Sequence, residues 1–339
     1  MNELQLLKET RKIDSPVPAA SLDRGLAQLM STIEKDTRRP SKTKRWSRPR
    51  RSLIAVAAAA ALVVGPMAVG IILPDSPQGA TAEAAEILDE AALATIETAD
   101  PIVGAGQYLM IDTNAVYGSS IVHDGTQHTW LATQDSQLYI PTDRSEEWVW
   151  VREPEVPVTF FSDESREAAE EISKSTEPFG QTVRAPGGGF YGSPQQFLGK
   201  PLDDAIQDSP RDPQELLDLI YATTEGEGWS PEQQALTTIA DFLRTGAVPA
   251  NLRSALYGAA ALIDGVEVVD ESATIDGRSG TAIGIETPDH AWRQDIIIDV
   301  ETGLMIGERV TSLKTTPQYP AGTVISWTTS ETSVVDFAP

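Results

Sequence analysis

The chain has 339 residues, 26 Lys and Arg against 50 Asp and Glu, and no cysteine. The lack of thiols excludes disulfides, thiol catalysis and thiolate zinc sites, so its folded part must be held by a core alone. The charge is divided: Met1 to Ser52 holds 13 Lys and Arg against 6 Asp and Glu, while the remainder holds 13 against 44, which excludes nucleic acid as a partner of the acidic part, since phosphate recognition needs clustered cations.

In chain order, residues 1–37 read as a short helical segment. Two patterns occupy it, Glu3 to Lys12 and Ala19 to about Asp36, separated by Pro16 and Pro18. In the second, Leu22, Leu26, Leu29 and Ile33 recur at four, three and four residues and make one narrow apolar stripe. An isolated helix of this length is marginal in water, so the stripe requires a partner surface. Residues 38–52 form a basic, Pro- and Ser-containing linker in which Arg45, Arg48, Arg50 and Arg51 stand nearest the following segment. Such a run is attracted to anionic lipid.

Leu53 to Leu73 is uncharged, LIAVAAAAALVVGPMAVGIIL. Twenty-one residues at about 1.5 Å each give roughly 31 Å, the thickness of a bilayer's hydrocarbon core. The basic residues precede the span, which places the N-terminus in the cytoplasm and everything after about Pro74 outside the membrane. The alternative is a cleaved export signal, with Arg50-Arg51 as a twin-arginine motif and Ala80-Thr81-Ala82 as the cleavage site. The long apolar run and the fifty residues before it favour a signal anchor instead.

A spacer over residues 74–82 leads to an outer domain over residues 83–339, about 265 residues outside the membrane in all. Thr81 to Ala99 is helical in composition, with Ala85, Leu88, Ala92 and Ile96 at helical spacing. Strand patterns follow over Gln107 to Val116, Ser120 to Ala132, Gln137 to Pro141 and Glu146 to Phe161, the last with Trp148 and Trp150 on one face. Ser165 to Lys174 is helical, Gly187-Gly188-Gly189 is a loop, and Asp212 to Thr224, Pro231 to Thr245 and Ala250 to Leu262 form a helical block. The last five strands run over Val266 to Ile275, Arg278 to Thr287, Trp292 to Val300, Leu304 to Leu313 and Gly322 to Phe337. Asp276-Gly277 makes a tight hairpin, and Gly303 takes the left-handed position of another. Strands, then helices, then strands that complete the sheet predict an α+β fold: a curved, half-barrel-like antiparallel sheet with helices packed on one face.

Chemistry is sparse. The sequence has no nucleophile elbow, phosphate loop, paired-histidine zinc motif or dinucleotide fingerprint. GGGFYG at Gly187 to Gly192 lacks a flanking strand and helix and a following Lys, and reads as a turn. His123, His128 and His290 are too few for a metal site, and a spacing of five puts the first two on opposite faces of a strand. Glu146-Glu147 beside Trp148 and Trp150 could form a sugar platform, but alternation favours a sheet face or core. The expectation is a protein without catalytic activity, cofactor or metal.

The order of parts carries a resemblance. MNELQLLKETRK, SLDRGLAQLMSTIEKD, a basic linker, an Ala-rich anchor, then GQYL at Gly106 to Leu109, IDGRSGTAIGI at Ile275 to Ile285 and IIIDVETGLMIGERV at Ile296 to Val310 resemble, over nearly the whole chain, a family of actinobacterial single-pass membrane proteins. No catalytic activity is established for that family. The resemblance implies genes beside sigma factors of the extracytoplasmic-function type and a role as envelope sensor or anti-sigma-like regulator. The outer part also resembles, in architecture, the half-barrel of lipoprotein carriers and of a periplasmic regulator of envelope stress. Unlike zinc-binding anti-sigma factors, the inner segment has no His or Cys, so a sigma factor would be held by Leu22, Leu26, Leu29 and Ile33 docking into a groove. Membrane lipid and an envelope ligand are the other expected partners. A plain extracytoplasmic binding module for a lipid or other envelope ligand is the alternative function.

Overall fold

The long central strand β1 (Tyr108–His123) organises the computed structural model, which describes residues 79–123, 125–175, 180–287 and 291–339. Along its first half β1 pairs with β13 (Val324–Val335) on one side and β3 (Ser136–Pro141) on the other. Along its second half it pairs with β2 (Thr126–Thr133). A single strand therefore belongs to two subsheets. From β1 one wing runs through β3 and β4 (Glu147–Arg152) to β6 (Gln181–Pro186). The other runs through β13, β12 (Leu304–Ser312), β11 (Trp292–Asp299) and β10 (Arg278–Thr287) to β9 (Val266–Ile275). Strand β5 (Val156–Phe160) extends the β2 side, making eleven strands in one antiparallel sheet among the described residues. A separate two-stranded piece joins β7 (Gln196–Phe197) to β8 (Lys200–Pro201).

Six helices occur among the described residues: α1 (Ala82–Glu97), α2 (Asp163–Ser175), α3 (Leu202–Asp208), α4 (Pro213–Thr223), α5 (Pro231–Arg244) and α6 (Ala250–Ala261). Their starts follow from local chemistry. Asp212 accepts from the Gln214 and Glu215 backbone N–H groups at 3.0 Å each, and Ser230 accepts from Gln233 at 3.1 Å, each just ahead of a proline that fits the first helical turn. Helices α1, α4, α5 and α6 form the main core with one face of β9 to β12, where Ile283, Ile285, Ile296 and Ile298 are buried. Ile297, on the opposite face, joins Ala273, Ile275, Ala282 and Ile306 in a second core. The unbroken Ile296-Ile297-Ile298 run is thus a strand covered on both sides.

The second core exists because the β9–β10 hairpin rolls back over the sheet. Bulges interrupt the β9–β10 register between Gly280 and Ile283, and bulges add twist and bend. At the hairpin tip Asp276 and Gly277 take φ of 48° and 75°, as a tight hairpin turn requires. That tip reaches two strands four and five places away: Asp276 Oδ2 accepts from Asn114 Nδ2 at 2.8 Å and from Thr329 Oγ1 at 3.2 Å.

Several sequence expectations are corrected. The buried stripe of α1 is Ala84, Leu88, Ala91 and Thr95: Leu88 is as expected, the other three lie one position before Ala85, Ala92 and Ile96, and Ile96 is 54% exposed. Gly303 explains the shift. Its φ is +65°, and a Cβ there would strike Ala91 O and Thr95 N, so the 300–303 turn seats directly on that face of α1. The boundary between the two strands expected over Gln107 to Ala132 is displaced: β1 runs on to His123 and β2 begins at Thr126, so the chain does not break near Tyr117. Glu146 to Phe161 divides at Pro154 into β4 and β5. The first wing is no simple meander, since β3 pairs with β1 and not β2.

The expected spacer over 74–82 is already part of the fold from Gly79. The Gly79 N–H donates to Asp264, Ala80 N to Ala261 O at 3.1 Å and Thr81 N to Val266 O at 2.8 Å. Thr81 Oγ1 then caps α1 through the Ala84 N–H. Among the described residues no helix is long and apolar enough to cross a membrane, and the predicted span Leu53 to Leu73 lies outside them.

Candidate functional site: a groove across β1, β3 and β4

One face of β1 runs through three environments in turn, because alternate residues share a face. Leu109 and Ile111 lie in a core with Ile140 and Trp148. Thr113, Ala115 and Tyr117 follow and line an open groove of about 670 Å³. Ile121 then packs beneath α2 with Trp130, Ala132 and Phe160. The groove begins where β1 passes from Leu109 and Ile111 to the smaller Thr113 and Ala115.

Register continues the pattern across the strands. Thr113 pairs with Ser136, and Ser136 with Arg152, so a polar row crosses β1, β3 and β4. The next row is Ile111, Leu138 and Trp150. On the far side α2 contributes Ala169, Ile172 and Ser173, and Trp130 of β2 lies under it. The rim carries Tyr191, which is 80% exposed and meets Trp150 edge-on at 6.2 Å.

Two groups in this groove have unused hydrogen-bonding capacity. Arg152 stacks over Trp150, its guanidinium carbon 4.8 Å from the ring centre, a cation–π contact that leaves the N–H edge open. Among the described residues Arg152 has no ion pair or side-chain hydrogen bond. Trp130 is 3% exposed and its indole N–H has no acceptor. The acids nearby are committed differently. Asp135 Oδ1 accepts from the Ala115 N–H at 3.0 Å, and Glu155 Oε1 from Ser119 Oγ at 2.6 Å. These carboxylates fix the β2–β3 turn and the β4–β5 connection.

Of the residues singled out from sequence, Leu22, Leu26, Leu29 and Ile33, and Arg45, Arg48, Arg50 and Arg51, all lie outside the described residues. His123 ends β1 and His128 sits in β2, opposite Ile121, so they belong to two paired strands and not to opposite faces of one. His290 lies outside the described residues, and among the described residues no cluster of three potential ligands occurs. GGGFYG is a turn, although a strand, β6, does precede it. Its Gly188, at φ +72°, lies so near Trp148 that a Cβ would come within 2.8 Å of the indole. Trp148 is core, its Nε1–H donating to Arg144 O at 2.8 Å, while Trp150 faces the groove. Arg152, Trp130 and Tyr191 line the groove without being singled out by the sequence pattern. The alternation Trp148, Trp150, Arg152 was the available signal for the first, but burial of Trp130 depends on α2 and had none.

A comparison with family models and with curated proteins finds no match to the chain. Among solved structures it is similar to a chain of the complex structure of Pseudomonas aeruginosa MucA/MucB, at 11% identity and a TM-score of 0.25, over 76% of this chain and 58% of that one. The chain thus spans less than two thirds of that relative's length, and a likeness of this degree carries no argument.

Proposed function

We propose that the chain is a single-pass membrane regulator that acts by binding and not by catalysis. Its N-terminal segment lies in the cytoplasm and holds a sigma factor of the extracytoplasmic-function type through Leu22, Leu26, Leu29 and Ile33. The outer α+β domain senses an envelope ligand. The uncharged span Leu53 to Leu73 with its basic approach supports the topology, and the periodic inner stripe supports a cytoplasmic partner.

The observation that carries the sensing role is the groove, with its aromatic wall and unpaired guanidinium. Two of its three acids, Asp135 and Glu155, are engaged in internal hydrogen bonds, which leaves no pair of free carboxylates for acid–base work. The roll-back of β9–β10 onto β1 and β13 supports the half-barrel-like form of the sheet. A retained anchor also fits the first described residues. Cleavage after Ala82 would remove the Thr81 cap and the Ala80 and Thr81 ladder contacts to Ala261 and Val266.

Co-purification of a Met1 to Ser52 segment with the host's alternative sigma factors tests the regulatory half. Stoichiometric capture, abolished by Leu26→Asp with Leu29→Asp, is expected. No capture would leave the second reading, a membrane-anchored binding module without regulation, which the groove favours by lying entirely in the outer domain.

A further inference from the structure

We infer that the groove binds an amphipathic carboxylate, with an apolar or aromatic body laid between Trp150 and Ile172 and a single carboxylate set on Arg152. The inference deepens the ligand-sensing reading above and rests on it. Arg152 is half-buried, stacked on Trp150 and without an ionic partner among the described residues. The contact holds the guanidinium over the Trp150 ring at the groove with its donors unpaired among the described residues, and a guanidinium fork is the donor set that pairs with both oxygens of a carboxylate. The polar row Thr113, Ser136 and Arg152 supplies further donors beside it.

The apolar body is specified by the other wall. Trp150, Tyr191, Ala169 and Ile172 present aromatic and aliphatic surface, with small residues at Ala115 and Ser136 leaving depth beneath. Trp130, 3% exposed, closes the floor of the groove beneath them as further apolar surface. Asp135, Glu153 and Glu155 also line the groove. These three acids repel a doubly charged phosphate more strongly than a singly charged carboxylate, so of the two anions the carboxylate is the one a single guanidinium can hold here. The same chemistry occurs in a medium-chain fatty acid and in the free C-terminus of an apolar peptide.

Purified full-length protein would be titrated calorimetrically with four probes: octanoate, octanol, a hexapeptide ending in Leu-Phe with a free carboxylate, and the same peptide amidated. At least one acid should bind about tenfold or more tightly than its neutral counterpart, the size of one charge-assisted hydrogen-bonded pair. Which acid binds identifies the source. Arg152→Gln should reduce that acid to the level of the neutral probe, and Arg152→Lys, which keeps charge without the planar fork, should fall between. An unchanged melting temperature for both variants shows that the fold is intact. Equal binding of acid and neutral probes would overturn the carboxylate inference and leave a ligand-binding groove. Failure of all four probes would overturn it together with the ligand-sensing role assigned to this groove.

Discussion

Asn114 and Asp276 stand 162 residues apart in the chain and are joined by a hydrogen bond of 2.8 Å, Asn114 Nδ2 donating to Asp276 Oδ2. Thr329 Oγ1 donates to the same oxygen at 3.2 Å. One carboxylate therefore ties the tip of the β9–β10 hairpin to β1 and β13 and closes the roll of the sheet. Asp276→Ala removes both bonds and places alanine at a φ of 48°, which should cost about 2–3 kcal/mol by urea denaturation. Asp276→Asn keeps an acceptor and tolerates the backbone, so it should cost less than half as much.

At Gly303 the turn between β11 and β12 meets helix α1. Gly303→Ala combines a left-handed φ of +65° with a Cβ driven into the Ala91 and Thr95 backbone. The expected loss is about 2–4 kcal/mol, from the φ penalty plus overpacking. A neighbouring exposed change, Glu301→Ala, should move the urea midpoint far less.

Arg253 fastens the C-terminal end of α1 to α6. Its Nε donates to Thr95 Oγ1 at 2.7 Å, and its Nη1 to Asp100 Oδ1 at 2.8 Å and Val248 O at 2.7 Å. Thr95 is fully buried. Arg253→Met should destabilise by about 2–4 kcal/mol, mainly through the orphaned Thr95 hydroxyl and Val248 carbonyl, since Asp100 is partly exposed and can rehydrate. The melting temperature reads this directly.

Stability should depend on mild acid through Glu308. Burial pushes its carboxyl above the ordinary glutamate range, against the opposing pull of Arg244, which also holds Asp241. An acid whose folded-state pKa is raised binds its proton in the folded state first. Stability is then greatest below the ordinary glutamate pKa and falls as pH rises from there through the raised one. In Glu308→Gln this component of the slope should vanish while the rest of the pH profile persists, as read from urea midpoints measured between pH 4 and 7.

Much of the later half of the fold was legible because its signals are local. Asp276-Gly277 and Gly303 impose their turns wherever they stand, and Asp212-Pro213 and Ser230-Pro231 start helices without help from the rest of the chain. The first wing was less legible. Tyr117-Gly118-Ser119 reads as a break, yet β1 runs through it because β2 pairs beside it, with Leu131 opposite Gly118. That pairing is tertiary and leaves no local mark. The groove was hidden for the same reason: Trp150 was visible as an alternating aromatic, but nothing in sequence said that Ser136 would fall between Thr113 and Arg152.

Composition and periodicity act over a few turns or strands, and they suffice for the division of charge, the uncharged stretch with its basic approach, the inner apolar stripe and the α+β order of elements. They do not suffice for which α1 residues face inward, for the roll of the β9–β10 hairpin back to Asn114, or for the meeting of Arg152 and Trp130 in one groove. Those outcomes depend on register and on contacts between residues tens to hundreds of positions apart, where a shift of one residue exchanges the two faces of a strand.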